Sequence, residues 1–307
     1  MRLHLASIRI SRRFKLYGLS RKLIPYLFIA PAIFLLFVFS IIPIFVSLFI
    51  SFTDMNLVGL ADWSKIRFVG IGHFMELFKD KTFIVSIGNT LFFVAIGVPL
   101  VVGLSLGVAL LLNYGTNAVF SVFRTIYYLP TITNIVAIAV IWGYLFNQHY
   151  GLFNYLLSLI GAEPLPWLEK PFMAKISLLL LAIWQGLGVN MIIFLAALKS
   201  VPTMYYEAAN IDGANRFQQF CYITLPSIRY AIFFVVVTKL IGWLQFFEEP
   251  YVMTGGGPLN GTISMALFIY QEGFQYTKFG YAAAASTVLF VMIMAVTFLQ
   301  FKLRKPE

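Results

Sequence analysis

The sequence predicts an all-α membrane protein with six transmembrane helices. Three observations lead there. Hydrophobic residues make up 60% of the 307 positions and charged residues only 11%, and mean hydropathy is +0.87, outside the range of soluble domains. Six stretches approach or exceed the roughly 20 apolar residues that cross a bilayer core, at 24–50, 87–112, 126–146, 176–198, 228–247 and 282–301. Basic residues are shared unevenly between alternate connecting segments, as a threaded chain requires.

The elements follow in order. Residues 1–23 carry Arg2, Arg9, Arg12, Arg13, Lys15, Arg21 and Lys22 and read as a cytoplasmic basic segment lying against lipid headgroups. The first apolar stretch is too long for a signal-peptide core and lacks a small-residue cleavage site, so it reads as a retained helix. Its Pro25, Pro31 and Pro43 imply kinks, which neighbouring helices make tolerable. Loop 51–86 is an exposed mixed segment. Loop 147–175 holds an amphipathic run too short to span, expected at the outer interface with Trp167 at headgroup depth. Loop 248–281 contains Gly255-Gly256-Gly257-Pro258, expected as a tight turn closing the fifth helix.

Fourteen Lys and Arg fall on the side of the termini and seven on the other, with Lys239 inside the fifth stretch. Acidic residues divide the other way, three against nine. The termini are therefore expected in the cytoplasm. The net charge of +10 follows from this topology and needs no nucleic acid. The single cysteine, Cys221, excludes an internal disulfide, and His4, His73 and His149 are too scattered to suggest a metal site.

Residues 207–226, EAANIDGANRFQQFCYITLP, form a polar run between two apolar stretches. Ala208, Ala209, Gly213 and Ala214 are small enough for another backbone to approach closely. Pro202 precedes the helix and Pro226 closes the stretch. Asp212-Gly213 is a turn signal, so the helix should end or bend there. Glu207 is expected in the first turn, where a carboxylate suits the helix dipole.

Glu207-Ala208-Ala209, Gly213 at its fixed distance and Leu225-Pro226 resemble the EAA loop of ABC importer permeases. Further segments narrow the resemblance: Arg124 to Pro130, Trp142 to Phe146, Gly151 to Asn154, Phe194 to Leu198 and Met253 to Pro258. These are similar to the oligosaccharide branch of the binding-protein-dependent type I importers, on the pattern of the larger maltose permease in a short six-helix form. The resemblance covers residues 24–303 and lacks that subunit's extra N-terminal helices and periplasmic insertion. It implies the type I importer permease fold in a bacterial inner membrane. It also implies a homologous second permease, two ATPase subunits and an extracytoplasmic solute-binding protein. In that family, loop 199–227 would dock on the ATPase through Glu207, Ala208, Ala209, Asp212, Gly213, Leu225 and Pro226. The chain has no phosphate-binding Gly-x-x-x-x-Gly-Lys-Ser/Thr loop, so ATP and Mg belong on the partner, and the chain is a transport subunit rather than an enzyme.

Lys239 is the one ionisable residue clearly within a span, and such residues are functional candidates. Trp243 at i+4 and Phe246 at i+7 share its face. A cation beside two aromatic faces suits a sugar bearing a uronate, sulfate or phosphate. On a continuous helix Glu248 lies about half a turn round from Lys239, so no same-helix ion pair is expected; the alternative partner is an acid on the second permease. The resemblance places Lys239, Gly242 and Trp243 where the fifth helix touches sugar, and Trp184-Gln185-Gly186 at a contact segment of the fourth, with Asn190 one turn on. Gln185 and Asn190 could equally serve as helix-to-helix glue. The expected function is import of an oligosaccharide, with an acidic one favoured by Lys239. The alternative is a neutral oligosaccharide or a glycerol-phosphate compound. A passive channel would need a selectivity device that the sequence lacks, and would leave the polar loop unexplained.

Overall fold

A computed structural model describes residues 25–115 and 117–303; the basic segment 1–23 lies outside the described residues. The described chain is helical, and its only pairing of extended backbone is an isolated bridge between Thr53 and Phe68. Helix α1 (Pro25–Ile50) contains a π turn at Phe37–Ile41. The turn sits immediately before Pro43, which has no N–H for the ladder. No residue of α1 is buried; it meets the rest of the chain along Pro43, Ile44, Ser47 and Leu48. Two short helices follow, α2 (Leu57–Ala61) and α3 (Gly72–Leu77). Helix α4 (Lys81–Asn113) is capped by Asp80, whose carboxylate accepts from Thr82 N at 2.7 Å and Phe83 N at 3.3 Å.

The stretch expected to cross as one helix over 126–146 is instead a pair. Helix α5 (Ala118–Ile132) and α6 (Ile135–Leu145) meet at 100°. Thr133 is extended, and Asn134 accepts from Val136 N and Ala137 N. An Asn side chain that bonds the next turn's amides starts a helix rather than continuing one. Arg124, on α5, closes the far end of α4 by donating to Leu112 O at 2.9 Å and Gly115 O at 2.8 Å.

Helix α7 (Leu152–Leu159) is the short amphipathic run. Trp167, expected at headgroup depth, is spent on protein contacts. It donates to Asn154 Oδ1 at 2.8 Å and packs on Phe146 and Phe153. Helix α8 (Pro171–Lys199) forms the centre of the bundle against α4, α5 and α11. Then come α9 (Thr203–Ile211) and α10 (Arg216–Ser227), which bends by 67° into α11 (Arg229–Leu244). The fifth span was expected to run to residue 247, but α11 stops at Leu244 and α12 (Glu248–Thr254) starts anew. Helices α13 (Met265–Tyr270) and α14 (Phe279–Leu303) complete the chain. Among the described residues four helices are long and apolar enough to cross a membrane, and up to six if each bent pair is one span.

Segment 248–281, expected as an outer loop, is folded into the bundle. Ile263, Met265, Leu267 and Phe268 are buried with Phe83, Leu244 and Ala284. Asn89 on α4 is buried and donates to Asn260 O at 3.0 Å and Ile263 O at 2.9 Å. The neighbouring Thr90 accepts from Met265 N at 2.9 Å. The Gly255–Gly257 turn closes α12, not the fifth span, with Gly255 left-handed at φ 58°.

Candidate functional site

A cavity of about 180 Å³ opens between α8, α11 and α12, lined by Gln185, Gly186, Lys239, Trp243, Glu248 and Glu249 among others. Lys239 reaches it because its stem crosses to α8 at a glycine: a Cβ on Gly186 would stand 3.8 Å from Lys239 Nζ. Among the described residues the ammonium has no ion pair and no hydrogen bond. Gly242 and Phe246 line the same space.

Trp243 is seated rather than free. A Cβ on Gly97 of α4 would fall 2.3 Å from the indole, so the ring lies directly on that glycine. Trp243 stacks on Phe246 at 5.1 Å and 19°, and Phe246 packs on Phe93 at 4.9 Å. Both are only 6% exposed. They form an aromatic wall whose edges meet the cavity, not two open platforms.

Two of the expected site residues are not brought in. Trp184 is 39% exposed and packs on Trp142 of α6 at 5.2 Å, away from the cavity lining. Asn190 is 1% exposed and donates to Gly186 O at 2.7 Å. It belongs to a set of side chains that bond α8 carbonyls: Thr131 to Gln185 O and Ser105 to Leu187 O. Those bonds hold α4 and α5 against α8 where Gly188 lets the α5 backbone approach. Gln185, by contrast, does line the cavity.

Glu248 and Glu249 were missed because a continuous fifth helix would point them away from Lys239. The break after Leu244 turns both onto the cavity wall. The sequence carried a signal for it: Pro250 directly follows the two acids, and acids followed by Pro mark a helix's first turn. Glu249 is 6% exposed. Burial pushes its carboxyl up to about 7, opposed by its own backbone amide and reinforced weakly by Glu248. Among the described residues no three His, Cys, Asp or Glu side chains converge as a metal site would need.

The polar loop folds as two helices around a turn. Helix α9 ends in a Schellman arrangement, with Gly213 N donating to Asn210 O at 3.1 Å and Ala214 N to Ala209 O at 2.9 Å. Gly213 takes φ +76°, and a Cβ there would meet nothing within 4 Å. The glycine is needed for backbone geometry within this chain. Asn215 and Gln218 form a capping box for α10, and Gln219 bonds back to Asn210 at 2.6 Å. Glu207, Ala208, Asp212, Gly213 and Pro226 are exposed, while Ala209 and Leu225 are half-buried. Glu207 sits in the second turn of α9, not the first. Met204, Tyr205, Ile211, Phe217 and Tyr222 project beside them, all exposed, which gives the loop an apolar outer surface.

The sequence matches the family model of binding-protein-dependent transport system inner membrane components over residues 69–305. It is 38% identical over 282 residues to the probable ABC transporter permease YesP of Bacillus subtilis (strain 168), covering 90% of this chain and 89% of the relative. It is 36% identical to the lactose transport system permease LacF of Rhizobium radiobacter, covering 90% and 92%. Its fold matches a bacterial ABC transporter involved in importing the acidic polysaccharide alginate, with TM-score 0.78 and 26% identity over 94% of this chain and 99% of that one.

Proposed function

The chain belongs to the inner membrane components of binding-protein-dependent transport systems, and from that premise we propose that it is a permease subunit of an ATP-driven oligosaccharide importer working by alternating access. The observation that carries the substrate reading is the cavity itself. It combines one unpaired cation, Lys239, an amide, Gln185, and the edges of an aromatic wall, Trp243 and Phe246. The amide suits a sugar's hydroxyls and the ammonium an acidic substituent, while the seated aromatic wall gives the cavity an apolar side. Lactose transport by one relative and alginate import by a structural neighbour support the carbohydrate class.

The acidic form of the substrate is the reading Lys239 favours. A neutral oligosaccharide is the second reading, favoured by Glu248 and Glu249, which share the cavity and can accept hydroxyl hydrogen bonds.

A solute-binding protein delivers the sugar from the outer side, and a homologous permease completes the pathway. Two partner ATPases supply the hydrolysis, with ATP and Mg bound there. Residues 207–213 and Leu225-Pro226 are the docking segment, and the exposed apolar side chains around α9 fit a groove on the ATPase. Residues 24–303 act as one permease unit with both termini in the cytoplasm.

The test is uptake of size-matched acidic and neutral oligosaccharides by wild type and Lys239→Met. Loss of one charge-assisted bond, roughly 1.5–3 kcal/mol, should reduce acidic uptake about tenfold or more while neutral uptake holds. Equal loss of both sugars would refute the anion reading. Failed assembly of the two permeases would place Lys239 at their interface.

A further inference from the structure

A cavity of about 510 Å³ lies between the ends of α4 and α8 and the two helices of the polar loop, within the roughly 300–1,000 Å³ of small-molecule sites. Helix α9 lines it with Thr203, Tyr206 and Asn210, at i, i+3 and i+7 on one face. Glu207, Ala208, Asp212 and Gly213, proposed above for docking, do not line it. Hydrogen bonds join the two loop helices around this space. Tyr206 Oη and Thr224 Oγ1 stand 2.9 Å apart. Gln219 Nε2 donates to Ala214 O at 3.0 Å and to Asn210 Oδ1 at 2.6 Å. The Ala214 carbonyl fixes which end of the Gln219 amide faces it, so Asn210 meets Gln219 with its oxygen and keeps its N–H donors free.

The rest of the wall is rich in donors. Lys199 and Arg216 line it, and no carboxylate does. Among the described residues neither cation has an ion pair or a hydrogen bond. Arg216 reaches instead from α10 to the end of α4, with its guanidinium 5.9 Å from the centre of the Tyr114 ring. That contact orients the fork and leaves its N–H groups unspent. Two cations without a counter-ion, set among neutral donors, call for an anion with several acceptor oxygens. A carboxylate brings a single charge. A phosphate brings up to two charges and three strong acceptors, and the guanidinium fork matches its geometry.

We propose that this cavity is a binding site for a phosphate-bearing ligand, held between Lys199 of α8 and Arg216 of α10 and reached from the cytoplasmic side. A small soluble phosphate and an anionic lipid headgroup share this chemistry, and the test separates them.

The test is amine labelling of the assembled importer in phosphatidylcholine nanodiscs, read by peptide mass spectrometry. Glucose 6-phosphate is the soluble probe, and partial replacement of the lipid by phosphatidylglycerol is the lipid probe. Lys199 should label in phosphatidylcholine alone, and a saturating probe should cut that labelling about fivefold or more. Lys302, outside the cavity, should label equally throughout. Protection by glucose 6-phosphate assigns the site to a soluble phosphate, and protection by phosphatidylglycerol alone assigns it to a headgroup. In Arg216→Gln the amount of probe needed should rise about tenfold or more, as loss of a charge-assisted bond implies. Protection unchanged in that variant would overturn the site, as would protection by neither probe, an equal fall at Lys302, or equal protection by glucose. A Lys199 that resists labelling with no probe present would also overturn it, because the ATPase would then fill the cavity. Should Arg216→Gln fail to assemble, the wild-type comparison of the probes with glucose still decides. No transport is measured, so a failure here leaves the importer reading intact.

Discussion

Gly97 on α4 lines no part of the cavity, yet it should decide where Trp243 stands. A methyl there would lie 2.3, 2.4 and 2.7 Å from Cζ3, Cη2 and Cε3 of the indole. Ordinary carbon contacts are about 3.5–4.0 Å, so in Gly97→Ala the ring must retreat by about 1.2 Å or more. Phe246 lies stacked against it and Phe93 packs on Phe246. The free direction is the 180 Å³ cavity. Overpacking costs about 1–3 kcal/mol, and the gain in helix propensity from Gly to Ala returns up to about 1 kcal/mol. The net destabilisation is therefore about 0–3 kcal/mol, and the permease should insert and assemble. The effect falls on the cavity. Uptake should drop about tenfold or more, and Trp243→Phe in the same chain, with its smaller ring, should restore it. Normal uptake by Gly97→Ala would refute the argument, as would a double variant no better than the single one.

Two further outcomes follow from other contacts. Asn89→Leu keeps the side chain's size but orphans Asn260 O and Ile263 O, at about 1–3 kcal/mol each. Amide exchange in 256–265 should accelerate by about 30-fold or more while α8 stays protected; uniform acceleration across the chain would show that Asn89 supports the whole fold and not this segment. Gly213→Leu must hold a left-handed conformation at a cost of roughly 1–2 kcal/mol, whereas Asn tolerates it. Stimulated ATP hydrolysis should therefore fall in Gly213→Leu and persist in Gly213→Asn. Loss in both would mean that the partner needs the open space beside the glycine rather than the turn.

The helical class, the approximate positions of the spans and the polar loop were legible in the sequence, because each rests on local information. Apolar runs of span length have few alternatives, and Asp212-Gly213 ends α9 by its own backbone preferences. Of the residues expected at the site, Gln185, Gly186, Lys239, Gly242, Trp243 and Phe246 line one cavity. Trp184 and Asn190 lie away from its lining, since a shared helix does not fix which neighbour a side chain meets. Trp142 claimed the first and the Gly186 carbonyl the second.

Tertiary structure decided which groups the helix breaks bring together. Periodicity carries no sign of the breaks at Thr133-Asn134 and after Leu244, although Asn134 as a cap and Pro250 after two acids mark where a new helix starts. The second break carries the larger consequence. It turns Glu248 and Glu249 onto the wall that holds Lys239, and the segment beyond is fixed by Asn89 and Thr90, more than 170 residues earlier in the chain. The sequence by itself determined that this is a membrane-spanning helical permease with a polar loop of the importer family. The charges that meet in its cavity depend on contacts between segments far apart in the chain, and no local pattern encodes those contacts.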